Sequence, residues 1–117
     1  MIDINRFPDK ISLNEFAEEI HQNAVEHGWW EKDIPLPTII ALCHSELSEA
    51  LEEYRNNMPD FYLGEGNKPE GIAVELIDCM IRILDFLSHT GVDIEKLMML
   101  IHGHNKGRPY KHGRKRC

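Results

Sequence analysis

The sequence predicts an all-α, four-helix bundle-like domain, on three observations. Four segments carry apolar residues at helical spacing, each opened or closed by a capping residue. No stretch alternates apolar and polar residues with a period of two. The 117 residues suffice for one domain and no more. That domain is expected to span residues 1–117, with a helical core over about 12–105 and a basic tail over 106–117.

Ser12 is a favourable N-cap, and Glu15 three residues later completes the capping-box pattern. Leu13, Phe16, Ala17, Ile20 and Ala24 follow at helical spacing, and Gly28 is the expected stop. Residues 29–37 include Pro35 and Pro37 and read as a loop. Thr38 is then placed to cap a second helix reaching about Asn56, with Ile39, Leu42, Cys43, Leu47, Ala50, Leu51 and Tyr54 apolar along it. Residues 58–69 hold two prolines and two glycines and read as irregular. A third helix is predicted from near Glu70 to about Thr90, with Gly91 as its stop. Asp93 caps a fourth that reaches about His104.

Composition narrows the class. At 42% hydrophobic and 28% charged residues the chain is globular, and a net charge of −7 disfavours a nucleic-acid surface. The charge is uneven: Lys106, Arg108, Lys111, Arg114, Lys115 and Arg116 form a basic tail free of acids, whereas the middle of the chain is acid-rich. Cys43, Cys79 and Cys117 form no CxxC pair, so a zinc ribbon is not supported and a reducing compartment is expected. The first ten residues contain no apolar leader and no run approaches ~18 apolar residues. No membrane partner and a cytoplasmic location are therefore expected.

The chemistry lies in two carboxylate pairs, Glu46-Leu-Ser-Glu49 and Glu75-Leu-Ile-Asp78. A spacing of three puts both acids of a pair on one helix face, so two such helices side by side make a four-carboxylate cage. One such pair alone is commonly a solvated acidic face. The second pair, however, sits in Ile72-Ala-Val-Glu-Leu-Ile-Asp-Cys-Met-Ile-Arg-Ile-Leu, a stretch apolar almost all round and expected to be largely buried. Ionised carboxylates on a buried helix need partners, which metal ions, or Arg82 on the same face and other bases, could supply; with Glu46 and Glu49 facing them, a metal cation is the better answer. Oxygen-only ligands select hard cations, so Mg²⁺, or alternatively Mn²⁺, is the expected cofactor. Since one short bundle cannot cover every face of that helix, a homodimer or a dimer of dimers is expected.

A Glu-x-x-His fragment, Glu18 to His21, belongs to the di-iron bundle pattern, but the second copy that chemistry needs is missing from the cage. His21 is instead a candidate for the substrate pocket. Of the adjacent Trp29 and Trp30, one is expected to pack in the core and the other to line the pocket, where its ring could stack on a flat ligand, with Trp30 favoured for the pocket. Asn105, Lys106 and Arg108, beyond the fourth helix, are candidates to grip phosphate.

Taken together, the chain resembles the MazG-like, all-α nucleoside triphosphate pyrophosphohydrolases. The resemblance rests on the joined ExxE and ExxD helices, on Asn23-Ala-Val-Glu-His-Gly-Trp-Trp, on Ser45-Glu-Leu-Ser-Glu-Ala-Leu-Glu-Glu-Tyr-Arg, on Lys68-Pro-Glu-Gly-Ile-Ala-Val-Glu-Leu-Ile-Asp and on Asn105-Lys-Gly-Arg-Pro-Tyr-Lys-His-Gly. It covers roughly residues 12 to 115; Ser45 departs from it, where many relatives carry a second acid. It implies a MazG-type fold and Mg²⁺-dependent hydrolysis of a (deoxy)nucleoside triphosphate to monophosphate and pyrophosphate, a nucleotide-pool house-cleaning reaction. Glu46, Glu49, Glu75 and Asp78 would be the metal ligands and Glu49 the carboxylate that orients or deprotonates the attacking water. The resemblance also strengthens Asn105, Lys106 and Arg108 as substrate contacts. The alternative is a non-catalytic helical interaction module with a vestigial cage.

Overall fold

A computed structural model describes residues 11–110. Those residues form four α-helices and a two-stranded hairpin: α1 (Leu13–Glu26), α2 (Leu36–Arg55), β1 (Tyr62–Leu63), β2 (Pro69–Glu70), α3 (Ile72–Thr90) and α4 (Ile94–Lys106). The fold is all-α apart from the hairpin. Lys111, His112, Arg114, Lys115, Arg116 and Cys117 lie outside the described residues.

Local chemistry accounts for most helix ends. Ser12 Oγ accepts the Glu15 amide at 3.1 Å, satisfying one orphan donor at the start of α1. At the other end Gly28 takes φ +85°, its amide bonds Val25 O and that of Trp29 bonds Ala24 O, a Schellman closure. Gly91 stops α3 in the left-handed region, and Asp93 Oδ1 accepts the Lys96 amide to start α4. Asn14 ties the first turns of α1 and α4 together. Its Oδ1 accepts the amides of Ile94 and Glu95 at 2.9 and 3.2 Å, and its own amide reaches Glu95 Oε1 at 3.1 Å.

Two boundaries differ from expectation. The second helix begins at Leu36, not Thr38: the amides of Thr38 and Ile39 both bond Pro35 O, and Pro37 is accepted in the first turn, where a missing N–H costs nothing. Within 58–69, read as irregular, β1 and β2 pair antiparallel with Tyr62 opposite Glu70 and Leu63 opposite Pro69. Tyr62 Oη donates to Glu53 on α2, and the Ala73 amide bonds Asp60 O, so the hairpin is pinned to both flanking helices.

The packing is centred on α3, which lies between α1 and α2. Ala17, Leu84 and Ile94 bring α1, α3 and α4 together, flanked by Leu13, Ile20 and Leu87. Ile39 and Ala50 on α2 and Cys79 on α3 are buried as well. The Cys43 thiol contacts that of Cys79, and burial pushes it above the usual thiol range. Contrary to the expectation of a largely buried third helix, only Cys79 and Leu84 of α3 are buried, and Leu76, Ile77, Met80 and Ile83 face outward. Past Glu95, α4 is exposed on all sides. The radius of gyration, 16.7 Å, accordingly exceeds the ~13 Å of a compact domain of about 100 residues.

Candidate metal centre

Because α2 and α3 pack against each other, their carboxylate pairs meet. Glu46, Glu75 and Asp78 each bring an oxygen within 4.8 Å of the others. Glu46 is buried, at 8% exposure, while Glu75 and Asp78 are half-buried. Glu49, also expected in the cage, is exposed and sits at its rim, where it hydrogen bonds with Glu75.

So many acids in one place oppose ionisation. Burial, hydrogen bonds with Glu49 and Glu46, and repulsion from both push Glu75 up to about 7. Burial and then the charge of Glu46 raise Asp78, while Arg82 and Lys68 pull it back. Since Glu75 holds its proton more tightly folded than unfolded, the protonated form favours the fold. That contribution is complete below the unfolded value of about 4.3 and is lost as pH rises through about 7. In metal-free buffer the melting temperature should therefore fall between about pH 5 and about pH 8, and Glu75→Gln should flatten that fall. Thermal melts followed by circular dichroism check this; a wild-type curve without a slope there would contradict it.

Beside the cluster lies a cavity of about 440 Å³. Ile20, Ala24, Ile34, Ile39, Leu42 and Ile81 make its apolar walls, and Glu46 and Asp78 close the end that meets the acids. Asn23, His27, Trp29, Arg82 and Asp85 supply polar edges. Such a volume suits a small organic ligand. Arg82, one turn beyond Asp78 on α3, donates from Nε to Glu46 Oε1 at 2.9 Å. Its guanidinium also lies 5.7 Å from the centre of the Trp29 ring.

No family model, curated protein or solved structure matches the chain. What the site can do must be read from its own side chains.

Trp29, not the favoured Trp30, lines the cavity. Trp30 donates from Nε1 to both oxygens of Asp85, at 3.0 and 3.2 Å, and stacks on His89 with ring centres 4.0 Å apart. His21 also lies outside the lining. Its Nδ1 is 2.7 Å from Asp85 Oδ1, and its ring meets that of Trp30 edge-on. These residues brace the wall through Asp85 rather than face the ligand space. Asn105 and Lys106 end α4 and Arg108 follows it; all three are exposed and none borders the cavity. The cations beside the cluster are instead Arg82 and Lys68. Spacing already puts Arg82, four residues after Asp78, on the face of the second pair; nothing local marks Lys68, which arrives through the hairpin.

Proposed function

We propose that this chain is a MazG-like, divalent-cation-dependent nucleoside triphosphate pyrophosphohydrolase. The observation that carries this reading is the meeting of Glu46, Glu75 and Asp78 at one end of an apolar cavity large enough for a nucleoside. The donor set fits a hard cation: every candidate ligand atom is a carboxylate oxygen, and the burial of Glu75 that lifts it to about 7, together with hydrogen bonds and repulsion from Glu49 and Glu46, leaves crowded negative charge that such a cation would relieve. Glu46, Glu75 and Asp78 would hold it, with Glu49 at the rim. When bound, Mg²⁺ or Mn²⁺ supplies Lewis-acid neutralisation of phosphate oxygens.

The chain's own residues do the rest. The apolar walls take the base and sugar out of water, and the exposed Trp29 offers an aromatic face to the base. The triphosphate then lies toward the acids. Glu49 is open to solvent beside the cluster, so its carboxylate orients a water and takes up its proton as that water attacks the α-phosphorus. Pyrophosphate leaves and the monophosphate remains, in keeping with the lack of a GxxxxGK[ST] loop to grip the β and γ phosphates.

A homodimer or homotetramer belongs to this reading. Leu76, Ile77 and Met80 on α3 and Leu97, Met98, Leu100 and Ile101 on α4 are all 45–60% exposed, an apolar surface that a second copy would cover. In such an assembly Asn105, Lys106 and Arg108 would serve a neighbour's site rather than their own. The same surface also supports the rival reading, a non-catalytic interaction module. Turnover separates the two. With a panel of nucleoside triphosphates, Mg²⁺-dependent release of monophosphate and pyrophosphate is the expected result by ion-exchange chromatography. Diphosphate as the main product, or no turnover with any metal, would sink the enzyme reading. No helix among the described residues is long and apolar enough to cross a membrane, and a cytoplasmic house-cleaning role completes the proposal.

A further inference from the structure

An anion drawn to a cluster of carboxylates needs cations close by, and the exposed end of α4 does not provide them within one chain. Two other residues meet the need. Arg82 follows Asp78 by one turn on α3, and it borders the cavity where the apolar walls give way to Glu46 and Asp78. One of its five donors, Nε, is committed to Glu46, and the plane of the guanidinium rests near Trp29. Among the described residues its terminal nitrogens have no acceptor, although its side chain is only 30% exposed. A fork fixed at one edge and free at the other is preorganised for an oxyanion.

Lys68 approaches from another side. The turn of the hairpin bonds Gly64 N to Lys68 O at 2.8 Å, β2 follows directly and packs on α3, and the Lys68 charge acts on Asp78. Two cations from separate elements, Arg82 at the cavity edge and Lys68 on the hairpin that packs against α3, thus act on the same acid. We propose that Arg82 and Lys68 form the anion-binding pair that grips the polyphosphate beside the acidic cluster, Arg82 as a fork and Lys68 as a point charge. This inference rests on the function proposed above for the substrate class, and it assigns to these two residues the task that sequence pattern alone placed in the tail.

The test is titration calorimetry of the full chain with inorganic tripolyphosphate in the presence of Mg²⁺. Lys68→Gln lies on the surface and should fold normally; it should weaken binding about tenfold, as loss of a charge-assisted hydrogen bond does. Arg82→Lys keeps the charge that Glu46 needs and so keeps the fold, but loses the fork; it too should weaken binding several-fold. Arg55→Gln, whose exposed partner is Glu52, serves as control and should bind like the wild type. Mn²⁺ affinity without the anion, read by electron paramagnetic resonance, should not weaken in Lys68→Gln or Arg82→Lys. A purely structural role for Arg82, holding Glu46 in place, would instead weaken metal and anion alike. If Lys68→Gln and Arg82→Lys bind tripolyphosphate as tightly as Arg55→Gln, or the wild type does not bind it, the assignment is wrong. Weakened anion binding in a protein that hydrolyses no nucleoside triphosphate would support the pair and overturn the enzymatic reading alone.

Discussion

Asp78→Asn should reduce turnover by more than about a hundredfold while leaving the helices intact. Losing a residue that merely orients a metal ligand already costs about 10–100-fold, and Asp78 is one of the three candidate ligands of the proposed site. The variant should melt no lower than the wild type in metal-free buffer. Asp78 is raised by burial and by the charge of Glu46, so its ionised form works against the fold, and the amide removes that charge. The stabilisation conferred by saturating Mg²⁺ should shrink or vanish in the variant. Glu49→Gln should separate the two roles. As an exposed rim residue it should retain most of the Mg²⁺-induced shift in melting temperature yet lose about 100-fold or more in kcat, as expected for a general base. Wild-type activity in Asp78→Asn would remove the cluster from the mechanism.

Gly71→Ala should be the most damaging glycine-to-alanine change among the described residues. Gly71 caps α3 at φ +123°, a conformation that side chains rarely adopt, and its Glu75 hydrogen bond sets the first turn that carries the acid. A Cβ there would collide with the backbone carbonyl of Asp60 and lie 2.8 Å from that of Pro59. The Asp60 carbonyl cannot retreat freely, because it holds the Ala73 amide at 2.9 Å. Strain plus collision should cost about 3 kcal/mol or more. Gly66→Ala is the internal comparison: φ is +68° but nothing lies within 4 Å, so only the left-handed strain of about 1–2 kcal/mol remains. Equal denaturant midpoints for the two variants would show that the approach of 59–60 to α3 is not a fixed contact.

Helix ends were legible where their cause is local. Ser12, Gly28, Gly91 and Asp93 act through atoms a few residues away, and each sits where its type demands. The start of α2 was misread because Pro37, a breaker inside a helix, is neutral in its first turn. The hairpin escaped because two-residue strands cannot display alternation; it is held by pairing and by Glu53, a partner on another element. In the site, a spacing of three was enough to place Glu75 with Asp78, but it paired Glu49 with Glu46 equally; only the packing of α2 on α3 brings Glu46 to them and leaves Glu49 at the rim. The choice between Trp29 and Trp30 depended on which ring the turn after α1 delivers to Asp85 and His89, and adjacency in sequence says nothing of that. Asn105, Lys106 and Arg108 were drawn to phosphate by resemblance and by the density of charge in the tail, and they border no part of the cavity; Arg82 shares the face of Asp78 by helical spacing, whereas the Lys68 charge reaches Asp78 only through folding.

The single-ended anchorage of α4 has a consequence for how long that helix survives. Its root is fastened by Asn14 and Ile94, but every residue of its remaining turns, from Lys96 onward, is exposed. A peptide helix of thirteen residues is near the length at which water and chain entropy undo it, and Gly103 near its middle-to-end weakens it further. Amide protons from Leu97 onward, in a chain standing alone, would be lost to solvent almost as fast as from an unstructured peptide. Slow exchange there would mean that Leu97, Met98, Leu100 and Ile101 spend their time against something else. The far end of α4 thus behaves as a reporter: its amides record whether the apolar row is covered, whatever the rest of the molecule is doing.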